Sequence, residues 1–296
     1  EAYVEASVRS IMAQKGVPFE LIVIDDGSKD NSPKILEALS RELGFTYKHR
    51  ENKGVMATLN ELIELASGKF FCTFASDDIM PMGRLQAQSS YLISHPEKIA
   101  CFGQIVKMDG NGNREFVPDK RYLRSIPDVT FEEFFLGKKE IHGCTEMIVL
   151  EKFKEMGGYD SEFPFEDFPL WLSMLEKCGS LPVLSTVCCY YREHGKNMSL
   201  DSTLMYGTFL RVIDRYKSHP LYKKAVCIWK SHWFSALAYS NPKEAIKRFP
   251  ELYSFSFPFF KRFLKLFIPR VFFFFFFFSK AFYIFFLIFF LSGISC

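Results

Sequence analysis

Two pairs of adjacent aspartates follow two separate apolar segments, and this arrangement constrains the fold more than any other feature of the chain. Asp25 and Asp26 come directly after the apolar segment 20–24, and Asp77 and Asp78 come soon after the segment 69–74. Segments with apolar residues at helical spacing lie between them. This β-α-β-α-β alternation predicts an α/β fold with a mainly parallel sheet flanked by helices, whose ligands bind beyond the carboxyl ends of the strands. We therefore expect both acidic pairs to face one crevice.

Composition excludes some classes of protein. The 296 residues are 48% hydrophobic, enough for one large domain with an extension, and the net charge of +3 is too small to indicate nucleic acid as a partner. The eight cysteines form no C-x-x-C pair. We interpret them as reduced thiols of a protein that faces the cytosol, with zinc binding or a disulfide framework as the less favoured alternative. The chain shows no signal peptide and opens in a helical pattern, so we expect the first strand of the domain to be missing.

Each aspartate pair has a structural interpretation beside a functional one. Asp25 and Asp26 can simply form a turn with Gly27, or their carboxylates can accept hydrogen bonds from a nucleobase or a ribose. The adjacent charges of Asp77 and Asp78 repel each other. A surface turn can tolerate this repulsion, whereas a divalent cation such as Mg²⁺ or Mn²⁺, which also binds diphosphate oxygens, would relieve it.

Two further charged segments occur later in the chain. Glu166 and Asp167 stand at the start of a predicted helix, where they either complement the helix dipole or supply a general base. Arg192 and His194 follow an apolar strand. They are either ordinary surface groups or, beside a metal–diphosphate site, groups that pair with phosphate or complete the metal shell.

The end of the chain is rich in phenylalanine. Seven consecutive Phe occupy positions 272–278, and Lys280 is the single charge in the segment 271–291. About 20 apolar residues suffice to span a membrane, and the basic residues before this segment would face the cytoplasm. The mixed basic and aromatic segment 253–270 also fits an interfacial position. The alternative is an out-of-frame ending that carries no selected structure.

Taken together, the motifs resemble those of the bacterial GT-A glycosyltransferases of family 2. The resemblance covers about residues 3–200 and depends on the order of the motifs, because each one alone is weakly specific. They are SIMAQ at 10–14, LIVIDDGSKD at 21–30, ENKG at 51–54 with Asn60, SDD at 76–78 with Pro81 and Arg84, GGYD at 157–160, EDFPLW at 166–171, and YREH at 191–194 with Ser199. Ala75 and Pro169 depart from the pattern, because an acid often stands at each position.

The resemblance implies a GT-A domain over residues 1–200 without its first strand, a helical extension over 201–260 and a hydrophobic tail over 261–296. Asp167 would be the catalytic base, supported by Glu166. Asp78 and His194 would ligate a divalent metal, Mn²⁺ or Mg²⁺. The donor would contact Asp25, Asp26, Asn52, Asp77, Arg84 and Arg192.

The implied activity is inverting transfer of a sugar from a nucleotide-diphosphate donor, by preference a UDP-sugar. The acceptor would be a hydroxyl of a surface glycan or a lipid-linked glycan, at the inner face of the plasma membrane. A non-catalytic nucleotide-sugar-binding protein of the same fold is the alternative. An NAD-dependent oxidoreductase is disfavoured because no G-x-G-x-x-G follows a strand, and a metal phosphohydrolase because few histidines stand near the acids.

Overall fold

A computed structural model describes residues 1–114, 127–195 and 197–253, together with Phe259. The predicted tail at 261–296 lies outside the described residues. The chain divides into two compact units, with the boundary between Leu200 and Asp201. Within the described part of the chain, no helix is both long enough and apolar enough to cross a membrane.

Helices and strands alternate along the first unit, so the predicted α/β class is confirmed. The helices are α1 (Val4–Met12), α2 (Ser32–Leu43), α3 (Val55–Leu65), α4 (Arg84–Ser94), α5 (Phe131–Phe135), α6 (Leu150–Glu155) and α7 (Asp167–Cys178). The strands are β1 (Ile22–Asp25), β2 (Thr46–His49), β3 (Phe70–Phe71), β4 (Ala100–Asp109), β5 (Val129–Thr130), β6 (Met147–Val149), β7 (Ser180–Leu181) and β8 (Val183–Glu193). A 3-10 helix, Gly143–Thr145, precedes β6.

The strand directions are mixed: the predicted parallel pairing occurs beside antiparallel pairing. Strands β1 and β2 pair in parallel as a two-stranded sheet. A four-stranded sheet has the order β3-β6-β4-β8, in which β4 and β8 are parallel. Strand β6 runs antiparallel to both of its neighbours, β3 and β4, and β5 pairs antiparallel with β7. The reversed direction of β6 therefore makes the central sheet mixed.

Strand β3 is shorter than the apolar pattern predicts. The segment 69–74 is apolar enough for a full strand, but ladder pairing covers only Phe70–Phe71. Two residues further on, the Thr73 backbone amide donates to the Glu146 side chain at 3.3 Å. A side chain thus takes the place of a strand partner where the chain approaches Asp77 and Asp78.

Local signals in the sequence set several helix boundaries. Pro33 stands in the first turn of α2, and Gly44 ends that helix with a positive φ of 74°, a conformation that glycine adopts without steric cost. Thr130 and Glu133 form a reciprocal capping box at α5. These features are short-range, so they can be predicted from the sequence.

Two apolar clusters hold the sheets of the first unit to their helices. Residues of α1 and α2, including Val8 and Leu36, pack with Val23 and Tyr47 of β1 and β2. Another cluster joins residues of α4 to β4 and β6; its buried members are Met80, Leu85, Leu92, Cys101 and Met147. The β1-β2 sheet and the four-stranded sheet thus each have their own apolar contacts with flanking helices.

The described part of the second unit is helical. It contains α8 (Ser202–Ile213), α9 (Tyr222–Ser240), α10 (Pro242–Lys247) and α11 (Phe249–Leu252). Asp201 caps α8 by accepting hydrogen bonds from the amides of Thr203 and Leu204, both at 3.0 Å. Buried residues from three of the helices and Phe259 form its apolar cluster: Trp233, Phe234, Leu237, Ala245, Leu252 and Phe259.

Candidate active site

The first aspartate pair lies at the carboxyl end of β1, as the sequence predicts. Asp25 is buried; its Oδ1 accepts the Ser28 amide at 2.8 Å, and its Oδ2 lies 3.6 Å from His49 Nδ1. Asn52 Nδ2 donates to the Asp26 carbonyl at 2.8 Å. The structure thus brings together Asp25, Asp26 and Asn52, which are three of the residues that the resemblance assigns to the donor.

The Asp26 carboxylate is held by the start of α3. It accepts the amides of Lys53 and Gly54, each at 2.9 Å, and pairs with the Arg50 guanidinium. Burial by itself would raise the pKa of Asp26, but the hydrogen bonds from the two amides and the Arg50 charge hold the pKa below its ordinary value. The ionised carboxylate therefore stabilises the turn before α3.

The side chains of the second aspartate pair, Asp77 and Asp78, contact different partners. Asp77 Oδ2 lies 2.8 Å from His194 Nε2. Asp78 is almost fully buried; its Oδ1 accepts the Arg192 amide at 2.7 Å, and Cys189 Sγ donates to its Oδ2 at 3.3 Å. His194, which was predicted to join Asp78 as a metal ligand, therefore contacts the neighbouring aspartate.

The Arg192 side chain contacts two segments of this region that are distant in the sequence. Its Nε donates to the Asp77 carbonyl at 2.6 Å, and its Nη1 donates to the carbonyls of Asp109 and Gly110, both at 3.3 Å. The guanidinium also lies 4.4 Å from the ring centre of Tyr3. The geometry supports a role in fixing the loop that carries Asp77.

Tyr3 is a residue that the sequence did not single out. Its ring stacks on His194 with 5.6 Å between ring centres, on the same residue whose imidazole contacts Asp77. Its position just before α1 gives no sequence signal for this contact, because the two residues are 191 positions apart.

The donor atoms of this region fit a divalent cation. Asp77 and His194 are both partly accessible and supply a carboxylate oxygen and an imidazole nitrogen, which suit Mn²⁺. Burial raises the pKa of Asp78 to about 6, and the neighbouring Asp77 charge adds to the shift. A cation beside the two aspartates would oppose both effects, because it favours the ionised carboxylates.

Arg84 is fully buried and contacts protein groups. Its Nε donates to Gln88 Oε1 at 2.9 Å, and its Nη1 donates to the carbonyls of Cys144 and Cys188 at 2.8 and 3.1 Å. Its Nη2 donates to the Glu146 carbonyl at 2.9 Å. These contacts support a structural role, in which Arg84 joins α4 to the chain before β6 and to β8.

Glu166 and Asp167 stand at the start of α7, where the sequence placed them. The Phe168 amide donates to Asp167 Oδ1 at 2.7 Å. Burial raises the pKa of Asp167 to about 7, and the Glu166 charge adds to the shift. The pKa of Glu166 is also raised by burial. A carboxyl group with a pKa near neutrality is suited to proton transfer.

The turn Gly143–Thr145 connects Asp167 with Asp78. A Cβ atom placed on Gly143 would lie 3.5 Å from Asp167 Oδ2, so the chain passes close to that carboxylate. The next residue, Cys144, belongs to a group in which its Sγ, Cys189 Sγ and an Asp78 carboxylate oxygen lie within 4.8 Å of one another. Asp78, which lies between β3 and α4, and Asp167 of α7 thus border the same short turn.

Glu146 is a second residue that the sequence did not single out. Its Oε1 accepts the Tyr159 hydroxyl at 2.9 Å and the Thr73 hydroxyl, whereas its buried Oε2 has no hydrogen-bond partner among the residues that the structure describes. Burial raises its pKa to about 7, and the charge of Glu166 contributes. Its position just before an apolar strand is the one sequence signal that could have pointed to it, and this signal is weak.

Comparisons with known proteins place the chain among glycosyltransferases. The family model described as glycosyl transferase family 2 matches residues 1–155, more than half of the chain. An uncharacterized glycosyltransferase of Rickettsia typhi is 29% identical over 177 residues, which are 58% of this chain and 54% of the relative. The chain therefore spans about half of that relative's length. The putative teichuronic acid biosynthesis glycosyltransferase TuaG of Bacillus subtilis is 24% identical over 179 residues, covering 59% of this chain and 68% of TuaG.

Solved structures of glycosyltransferases share the fold. Residues 1–349 of TarS of S. aureus, in complex with UDP-GlcNAc, superpose with a TM-score of 0.57 at 17% identity, over 90% of this chain and 76% of the TarS 1–349 chain. The mannosyltransferase PcManGT of Pyrobaculum calidifontis, in complex with GDP-Man and Mn²⁺, gives a TM-score of 0.56 at 15% identity, over 88% and 79% of the two chains. The expected GT-A fold is thereby confirmed, and the chain belongs to glycosyl transferase family 2.

Proposed function

We propose that the protein is an inverting glycosyltransferase that moves a sugar from a nucleotide-diphosphate donor to a hydroxyl of a glycan or lipid-linked acceptor. The observation that carries the proposal is the position of Asp167. Asp167 is the first residue of α7, and its carboxylate lies close to Gly143. The next residue, Cys144, has its Sγ within 4.8 Å of an Asp78 carboxylate oxygen. A base and an aspartate suited to a donor-bound cation therefore share one region.

In the proposed reaction, the acceptor oxygen attacks the anomeric carbon while the bond from that carbon to the diphosphate breaks. Asp167 takes the proton of the acceptor hydroxyl. Its pKa of about 7 leaves a substantial ionised fraction at neutral pH and keeps the carboxylate basic enough to accept the proton. Such general-base catalysis contributes typically ~10²–10⁴-fold to the rate.

Asp77, Asp78 and His194 are the residues proposed to hold Mn²⁺ or Mg²⁺. A bound cation would offset the negative charge that develops on the leaving diphosphate. The complex of PcManGT with Mn²⁺ supports this choice of metal. Asp25, Asp26 and Asn52 are proposed to bind the nucleotide, with Asp26 also anchoring the turn before α3.

The donor is proposed to be a UDP-sugar, in line with the UDP-GlcNAc complex of TarS. The GDP-Man complex of PcManGT makes GDP-sugars the alternative to test. The teichuronic acid assignment of TuaG supports a surface polysaccharide as the acceptor class. The Phe-rich tail and its basic flank support a place at the inner face of the plasma membrane.

The proposal is tested with the whole chain by measuring donor binding and transfer separately. UDP- and GDP-sugars are titrated with Mn²⁺ while thermal stabilisation is recorded, because a ligand that binds the native state raises the melting temperature. Release of nucleoside diphosphate then reports turnover. Asp167→Asn is expected to keep donor binding and to lose at least about 100-fold in turnover.

Glu42→Gln is the matched control, since Glu42 is an exposed carboxylate of the same unit that pairs with Arg9 and lies outside the motifs. It is expected to behave as the unsubstituted protein does. Near-full turnover of the Asp167 variant would show that the base is wrongly assigned. Donor binding without transfer or hydrolysis in the unsubstituted protein would favour the non-catalytic binding protein.

A further inference from the structure

Two thiols that the proposed transfer reaction does not use form a cluster with the carboxylate of Asp78. The Sγ atoms of Cys144 and Cys189 and a carboxylate oxygen of Asp78 all lie within 4.8 Å of one another. Asp78 and Cys189 are buried, whereas Cys144 is half-buried. Both cysteines are free thiols.

Two of the three donor atoms are nearly as far apart as a tetrahedral Zn²⁺ would hold them, and the third, Cys144 Sγ, lies within 4.8 Å of both. Sulfur and oxygen atoms bound to one such ion are about 3.5 Å apart, given Zn–S and Zn–O bonds of about 2.3 and 2.1 Å. Cys189 Sγ lies 3.3 Å from Asp78 Oδ2. The Arg192 amide, 2.7 Å from Asp78 Oδ1, holds that carboxylate in place. Little movement is needed to bring these donors onto one ion.

The chemistry of the donors selects the ion. Thiolates are soft ligands that favour Zn²⁺ and Cd²⁺, whereas Mn²⁺ and Mg²⁺ prefer oxygen. Three protein ligands leave a fourth position for water, as in open zinc sites. The partial exposure of Cys144 gives the ion a route to the cluster.

We propose that Asp78, Cys144 and Cys189 form a binding site for a soft divalent cation, by preference Zn²⁺. Each thiol releases its proton to solvent as its sulfur–metal bond forms. Because Asp78 would be shared with the Mn²⁺ or Mg²⁺ site, bound Zn²⁺ withdraws it from the donor and inhibits sugar transfer. This inhibition rests on the proposed function, but the binding of Zn²⁺ does not.

The test measures metal binding directly on the reduced, chelator-treated whole chain. Competition with a chromophoric chelator gives the affinity for Zn²⁺, and Cd²⁺ reports thiolate ligands through its sulfur-to-metal absorption in the ultraviolet. The unsubstituted protein is expected to bind one ion and to show this absorption. Loss of even an indirect contact weakens metal sites by about 10–100-fold, so Cys144→Ser is expected to weaken Zn²⁺ binding by more than about 100-fold.

Cys178→Ser is the matched control, because Cys178 is an exposed thiol outside the cluster. Absence of the Cd²⁺ absorption in the unsubstituted protein would overturn the proposal without recourse to any variant. Equal Zn²⁺ affinity in the Cys144 and Cys178 variants would do the same. Sugar transfer without Zn²⁺ binding contradicts this inference alone, whereas Zn²⁺ binding without transfer contradicts only the proposed function.

Discussion

Replacement of Arg84 by Met distinguishes a structural arginine from a donor-binding one. The side chain is fully buried, and its guanidinium donates to three backbone carbonyls and to Gln88. Methionine is unbranched, has no N–H donor and ends near the position of arginine Nε, so the substitution removes the hydrogen bonds and leaves a cavity where the rest of the guanidinium lay.

The expected loss of stability follows from the acceptors that remain. The bonds to the carbonyls of Cys188 and Glu146 are both buried, and each acceptor left without a donor costs about 1–3 kcal/mol. The sum of about 2–6 kcal/mol is reduced because methionine spares the desolvation of a buried charge. We expect Arg84→Met to lower the free energy of unfolding of the first unit by about 3 kcal/mol.

Urea unfolding followed by far-ultraviolet circular dichroism measures this change. Arg41→Met is the control, since Arg41 is exposed and pairs with Glu37 one helical turn away, and the substitution should shift stability by less than about 0.5 kcal/mol. The reasoning is refuted if Arg84→Met costs less than about 1 kcal/mol while the affinity for the donor collapses. That outcome would restore the donor-binding role that the resemblance implies.

Two further predictions concern the buried carboxyl groups. The pKa of Glu146 in the folded protein is about 7, above its ordinary value, so its protonated form stabilises the protein at low pH, and this contribution is lost as the pH rises through 7. Glu146→Gln keeps an oxygen that can accept the Tyr159 hydroxyl. In urea titrations, this variant should show a smaller decline in unfolding free energy between pH 5 and pH 8. An unchanged slope would contradict the titration of Glu146 over this range. The transfer rate should rise with pH through about 7, because Asp167 must be ionised to act as the base. A flat profile of initial rates over this range would count against Asp167.

The order of the elements could be read from the sequence because it depends on short-range signals. Apolar segments located β1 and β3, and helical spacing indicated the helices between them. The positions of both aspartate pairs beyond apolar segments followed from the same pattern. The direction of β6 could not be predicted in this way, since β6 lies between β3 and β4 and pairs with residues that are far away in the sequence.

The chemical types of the site residues were fixed by the sequence, but their partners were decided by the tertiary structure. The sequence placed acids at strand and helix ends, because the local pattern of apolar and charged residues is enough to locate them. It did not reveal that His194 contacts Asp77, that Asp78 faces Cys189, or that Arg84 is buried. Those contacts depend on which side chains become buried next to each other when distant segments pack. The same burial raises the pKa values of Glu146 and Asp167.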